Sequence, residues 1–204
     1  LPHVDLAGVT DDAAAVADRV AAEYGTEPLA LETLCERCDL VTVAVPTHAH
    51  YETVSTCLEA GVHVLVEKPI AETVQQGRKL AEQAHDAGLV LQVGHIERFN
   101  PAVQTVAEVI DDLEVISVAA ERLGPPIDRV APGNVVYDLM VHDVDVVGAI
   151  LEKRPHSVAA MGTDDGQYAT ATIEYDDVVE TVTASRVTQK KGRQLTVTAR
   201  ECRV

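Results

Sequence analysis

The sequence predicts an α/β chain in two parts: a parallel sheet covered by helices over residues 1–95, then an α+β domain with a mainly antiparallel sheet over residues 96–204. Three observations carry this. Short, nearly continuous apolar runs alternate with helical patterns in the first part, which is how strands buried on both faces read. Gly25, Gly61 and Gly88 each close a helical pattern just before a strand, where a C′ glycine is expected. After Gly94 the apolar runs follow one another across short turns such as Asp164-Asp165-Gly166 and Asp176-Asp177, the pattern of antiparallel pairing.

The elements follow in order. Residues 4–9, 40–45, 62–66 and 89–93 read as strands, and residues 12–24, 51–60 and 71–87 as the helices between them. Residues 101–110 then read as a helix, 115–120 as a strand and 124–133 as a Pro-rich loop. Residues 134–151 read as one long apolar helix, and 158–161, 169–175, 178–187 and 194–198 as strands. The chain begins without Met and stops beside a strand, so both domains read as incomplete, the first at its N-terminus and the second at its C-terminus.

Composition removes several classes of function. The 204 residues hold 33 Asp plus Glu against 16 Lys plus Arg, for a net charge of -17, which repels nucleic-acid phosphate and anionic membrane surfaces. No apolar run approaches the roughly 18–20 residues of a spanning helix, and no signal peptide opens the chain. Four Cys without a regular framework point to a reducing cytoplasm, and the lone Cys35-x-x-Cys38 lacks the second pair of a structural zinc site. Dispersed acids with only 5 Lys among the 16 basic residues suit a high-salt cytoplasm, where salt screens self-repulsion.

Ligands of an open parallel sheet bind beyond the carboxyl ends of its strands. Those ends carry Thr10-Asp11-Asp12, Pro46-Thr47-His48-Ala49-His50, Glu67-Lys68-Pro69 and Gly94-His95, so these segments should line one edge. Each also has a plain reading: Asp11 or Asp12 as a helix cap, Lys68 as a surface lysine, His48 and His50 as loop residues. On the helix at 134–151, a rotation of about 100° per residue gathers Asp138, His142, Asp145 and Ala149 within about 60° of arc. The rest of that helix is apolar, so this stripe must face a cleft or a partner. A carboxylate beside His suits a general base. A satisfied core His and a metal site are the alternatives, and Asp143, inside the apolar arc, is unexplained by the pattern.

The stretch VAVPTHAHYETVSTCLEAGVHVLVEKPIAET, followed by VGHIERFNP and DLMVHDVD, resembles the Gfo/Idh/MocA oxidoreductases over nearly the whole chain. The resemblance implies a Rossmann domain and an α/β domain whose open sheet mediates homo-oligomerisation. It implies NAD(P)-dependent oxidation or reduction of a sugar or cyclitol carbinol, with no metal. By the family's motifs Lys68 is the active-site lysine, and Asp138 and His142 are the acid and base of the substrate cleft. Asp11 matches the ribose-binding acid, which favours NAD over NADP. Pro46, Thr47, His50 and Glu67, with Lys68, match positions around the nicotinamide half of the cofactor. His95, Arg98 and Asp145 join Lys68, Asp138 and His142 as candidate substrate contacts. VGHIERFNPAV is similar to the branch that oxidises nucleotide-sugars at C3. No G-x-G-x-x-G occurs in the sequence; with Asp11 as the ribose acid it would fall before Leu1. A non-catalytic cofactor- or sugar-binding paralogue, or a fragment keeping only the fold, is the alternative class, and a cyclitol or free sugar the alternative substrate.

Overall fold

The computed structural model describes residues 3–126, 133–189 and 191–204. The chain divides into two compact units, Leu1–Gly94 and His95–Val204.

The first unit is a parallel sheet with helices. Helices α1 (Ala14–Tyr24) and α2 (Leu31–Arg37) precede β1 (Leu40–Val43); then come α3 (Thr47–Glu59), β2 (His63–Val66), α4 (Val74–Asp86) and β3 (Leu91–Val93). Among the described residues the sheet order is β1-β2-β3, parallel throughout, with Val41 opposite Val64 and Val66 opposite Val93. The core is Val-rich, as the composition demands: Val41, Val43, Val54, Val62, Val64 and Val66 pack with Leu58 and Leu80. Gly25 and Gly88 take positive φ, 68° and 67°, where a side chain would be strained. Thr73 and Gln76 form a reciprocal capping box at the start of α4.

Two expectations need correction here. Residues 4–9 do not form a strand: only Val9 makes an isolated parallel bridge, to Pro28, while Val4 and Leu6 are exposed. Residues 4–10 border a groove of about 340 Å³ against Leu34, Cys38 and residues 40–42. Helix α3 starts at Thr47, four residues earlier than the pattern implied, so His48 and His50 are helical rather than loop residues. The cysteines are free; Cys35 and Cys57 meet in the core, Sγ to Sγ 3.6 Å, and burial pushes the Cys57 thiol up to about 12.

In the second unit α5 (Pro101–Ile110) and β4 (Val115–Leu123) lead to a helix that opens with a π turn (Val136–Met140) and continues as α6 (Val141–Leu151). Strands β5 (Ser157–Gly162), β6 (Tyr168–Tyr175), β7 (Val178–Ser185) and β8 (Gly192–Ala199) follow. The sheet order is β5-β6-β7-β4-β8, antiparallel except for the parallel β4–β7 pair. Its core joins Val118, Ala120, Val135, Met140, Val147, Ile173, Tyr175, Val178 and Val182. The loop expected at 124–133 lies largely outside the described residues.

One charged residue sits inside that core. Glu180 is in phase with Val178 and Val182 on β7 and fully buried; one carboxyl oxygen accepts from the Tyr175 hydroxyl at 2.8 Å, and the other has no hydrogen-bond partner. Burial pushes the Glu180 carboxyl up to about 7, and the nearby Asp143 charge adds to the rise. A neutral Glu180 favours the folded state fully below about pH 4.5. That contribution falls as the unfolded carboxyl ionises and is gone above about pH 7, a loss of about 3 kcal/mol across the window. Glu180→Gln should remove this component. Urea denaturation of both proteins at intervals from pH 4 to 8 checks it, and parallel pH profiles would contradict it.

Candidate functional site

In the first unit the strand ends carry the expected polar residues. Pro46 and Thr47 open α3 directly after β1. Glu67 and Lys68 follow β2, with the Glu67 backbone N–H bonded to Val43 O at 2.9 Å and the Lys68 N–H to Glu67 Oε2 at 3.3 Å. Gly94 ends β3 with its N–H bonded to Val66 O at 2.7 Å, and a Cβ there would stand 3.3 Å from the Glu67 carboxylate. This close approach is the local reason for a glycine at 94. The Lys68–Pro69 peptide is cis.

His50 has a different place from the one its motif position implies. It is buried, and its ring nitrogens lie 2.8 Å from Pro69 O and 2.9 Å from Val45 O. The ring is taken up tying the two strand-end loops together, which positions Thr47 and Lys68. His48 is exposed on the first turn of α3. Asp11 is exposed just after the Val9 bridge, and its Oδ1 accepts from the Ala13 N–H at 2.8 Å ahead of α1.

These residues fit two parts of a dinucleotide. An exposed carboxylate just after the Val9 bridge can accept from ribose hydroxyls, and Pro46, Thr47, Glu67 and Lys68 stand after β1 and β2, where the nicotinamide end can lie. The phosphate-cradling glycine loop is not among the residues of this sequence.

In the second unit the two acids of the expected acid–His–acid stripe each pair with an arginine. Asp138 lies in the π turn and pairs with Arg186, which follows β7; Arg186 Nη1 also donates to Gly133 O at 3.0 Å. Asp145 pairs bidentately with Arg98, Nε to Oδ2 at 2.8 Å and Nη2 to Oδ1 at 2.5 Å, with His95 Nδ1 3.5 Å from Oδ2. His142, half-buried, lies between Asp138 and Asp145 on the helix. Asp138 stands within the π turn and His142 and Asp145 on the α-helical part that follows it.

Asp143 now has an explanation. It is buried and takes both Nε and Nη2 of Arg122, at 3.0 and 2.7 Å. Arg122 Nη1 reaches Glu97 Oε1 at 3.2 Å, and Arg193 Nη1 reaches the same oxygen at 2.8 Å. Burial of Glu97 works to raise its carboxyl, but hydrogen bonds from Asn100 and Arg122 and the charges of Arg122 and Arg193 hold it below the usual range. Sequence reasoning missed Arg122, Arg186, Arg193 and Glu97. The signal was available for one pair: Arg122 is in phase with Val118 and Ala120 on β4, and Asp143 sits in the apolar arc of α6. Opposite charges on two core faces must find each other, because neither is tolerated alone. Among the described residues no group of three or more His, Cys, Asp or Glu is placed to hold a metal ion.

The comparisons with known proteins agree with this layout. Residues 1–95 match the model described as oxidoreductase family, NAD-binding Rossmann fold, and residues 114–204 match the GFO/IDH/MocA C-terminal domain. The UDP-N-acetylglucosamine 3-dehydrogenase of Acidithiobacillus ferrooxidans is 33% identical over 198 residues, 94% of this chain and 63% of that protein. A solved structure of that dehydrogenase superposes with a TM-score of 0.89, covering 94% of this chain and 65% of its own. The inositol 2-dehydrogenase of Rhizobium meliloti is 28% identical over 76% of this chain and 50% of its own length. The D-glucoside 3-dehydrogenase of Escherichia coli is 29% identical over 85% of this chain and 57% of its own. The chain thus spans between half and two thirds of the length of these relatives. With both domain models matched in sequence order, and a relative 33% identical over 94% of the chain, the chain belongs to the Gfo/Idh/MocA oxidoreductase family.

Proposed function

We propose that the protein carrying this chain is an NAD-dependent dehydrogenase that oxidises a secondary carbinol of a nucleotide-sugar. The observation that carries the substrate class is the 33% identity to a UDP-N-acetylglucosamine 3-dehydrogenase over 94% of the chain, against 28% and 29% for the inositol and glucoside relatives. Asp11 would accept from the ribose hydroxyls and disfavour a 2′-phosphate, while Pro46, Thr47, Glu67 and Lys68 would border the nicotinamide end. NAD supplies the hydride acceptor.

The chain's own residues handle the proton and the charge. His142 takes the hydroxyl proton at an imidazole nitrogen as the carbinol is oxidised. Lys68 donates a hydrogen bond to the developing alkoxide, where a fixed donor helps most in a water-poor site. Asp138, held by Arg186, keeps a fixed negative charge one helical turn from His142. Asp145, His95 and Arg98 would contact sugar hydroxyls beside them. The sheet face opposite the core, exposing β5 throughout and Thr172, Val179 and Thr181, would join copies into a homo-oligomer. The acidic surface suits a high-salt cytoplasm.

The test is a substrate panel on the protein at its full length: UDP-N-acetylglucosamine, myo-inositol and a glucoside, each with NAD and with NADP. Turnover should be fastest with the nucleotide-sugar and NAD. The inositol relatives make a cyclitol the second reading, and preferential turnover of myo-inositol would establish it over the first. Absence of turnover on every carbinol would leave the non-catalytic class.

A further inference from the structure

The second unit contains a cavity of about 510 Å³ whose wall carries four cations and one carboxylate: Arg122, Arg186, Lys191 and Arg193, with Asp138. In a chain with 16 basic residues and a net charge of -17, a quarter of the cations gather at this one place. We propose that this pocket binds the diphosphate of the nucleotide-sugar substrate; the inference rests on the dehydrogenase reading and names the subsite that would select its substrate class.

The strand register brings the cations together. Arg122 near the end of β4 lies directly opposite Arg193 on β8, and its next residue, Leu123, pairs with Ser185, the residue before Arg186. Like charges directly opposed across antiparallel strands are destabilising. Here Glu97 accepts from both guanidinium groups through one oxygen, and Asp143 holds Arg122 from behind. Counting these acids with Asp138, the cluster still carries one net positive charge: four cations against Glu97, Asp143 and Asp138.

The acids fix the Arg122 and Arg186 guanidinium groups in the wall, and Arg193 keeps donors open. Arg122 and Arg186 are buried and held by carboxylates, so little rotamer entropy remains to be lost on binding. The Arg193 side chain is 58% exposed and bonds Glu97 through one nitrogen of a five-donor fork, leaving donors for an anion. Leu123, Pro125 and Leu139 add an apolar wall of the kind that accepts a ribose or base. Asp138, a candidate catalytic acid, lies in the same wall, so a diphosphate bound here brings its attached sugar to that residue. An uncharged cyclitol would have no use for four cations.

Isothermal titration of the full-length protein with UDP, and separately with inorganic pyrophosphate, tests this in wild type, Arg193→Met and Lys191→Met. Both probes should bind wild type saturably, with UDP the tighter because of the apolar wall. Loss of a charge-assisted hydrogen bond should raise the UDP dissociation constant by about 10- to 100-fold in Arg193→Met and by a smaller factor in Lys191→Met. Circular dichroism and thermal melts establish that each variant is folded. His142→Asn should leave UDP affinity unchanged, because it alters the proton acceptor and not the anion site. The inference is overturned if wild type binds neither probe, or if both cation variants bind UDP as tightly as wild type. Cation-dependent UDP binding in a protein that turns over no nucleotide-sugar would uphold the anion site and refute the nucleotide-sugar dehydrogenase reading. Nucleotide-sugar turnover with UDP binding indifferent to both variants would do the reverse.

Discussion

Lys68→Met and His142→Asn are each expected to lower kcat on the true substrate by at least about 100-fold, a far larger change than either makes to NAD affinity. Removing a positioned acid–base group costs about 10² to 10⁴-fold. Removing one donor to a developing oxyanion costs about 10² to 10³-fold. On the proposed mechanism both groups act as charge develops, so the loss should appear in kcat more than in KM. If the two serve one transition state as proposed, the double variant should lose less than the product of the singles. Asp138→Asn should fall between wild type and these variants in rate. It should also lower stability, since the Arg186 side chain is only 7% exposed and would lose its paired charge. Steady-state kinetics with independent NAD titrations separate these effects, and near-wild-type turnover by both Lys68→Met and His142→Asn would place the chemistry elsewhere.

Arg122→Met should destabilise the second unit by about 3–5 kcal/mol, the usual cost of breaking a buried pair by removing one partner. The Arg122 and Asp143 side chains are 8% and 11% exposed, so the substitution strands the Asp143 carboxylate and takes one of its partners from Glu97, which keeps Arg193 and Asn100. The three hydrogen bonds of 2.7–3.2 Å that Arg122 makes to Asp143 and Glu97 are all lost. Asp143→Asn alone leaves Arg122 its Glu97 contact and should cost less. Combining Arg122→Met with Asp143→Leu should recover part of the loss, because no buried charge then remains on α6. A urea-unfolding double-mutant cycle measures this. A double variant as unstable as the sum of the singles would mean that the two residues are not coupled.

The alternation of apolar runs and helices, the glycines after helices, and the change of pattern at Gly94 made the architecture legible, because parallel strands buried on both faces must be apolar throughout. The order of the strand-end motifs placed Asp11, Thr47, Glu67, Lys68 and His95 along the sequence for the same reason. The strand expected at residues 4–9 is reduced to the single Val9–Pro28 bridge, because an apolar run alone does not specify its pairing partner. His50 read as a binding residue from its motif position, yet the fold uses both its ring nitrogens on backbone carbonyls.

What the sequence alone determined was therefore the class of each segment and the family motifs, both local properties of residue type and spacing. What only the tertiary structure decided was the pairing of charges. Arg186 with Asp138, Arg98 with Asp145, and Arg122 with Asp143 and Glu97 join residues between 21 and 48 positions apart, with |i−j| of 47 for Arg98–Asp145, 25 for Arg122–Glu97 and 21 for Arg122–Asp143. Electrostatic partners are chosen by distance in space and by shared burial. Strand register and the π turn set both, and neither is written in the spacing of any one segment.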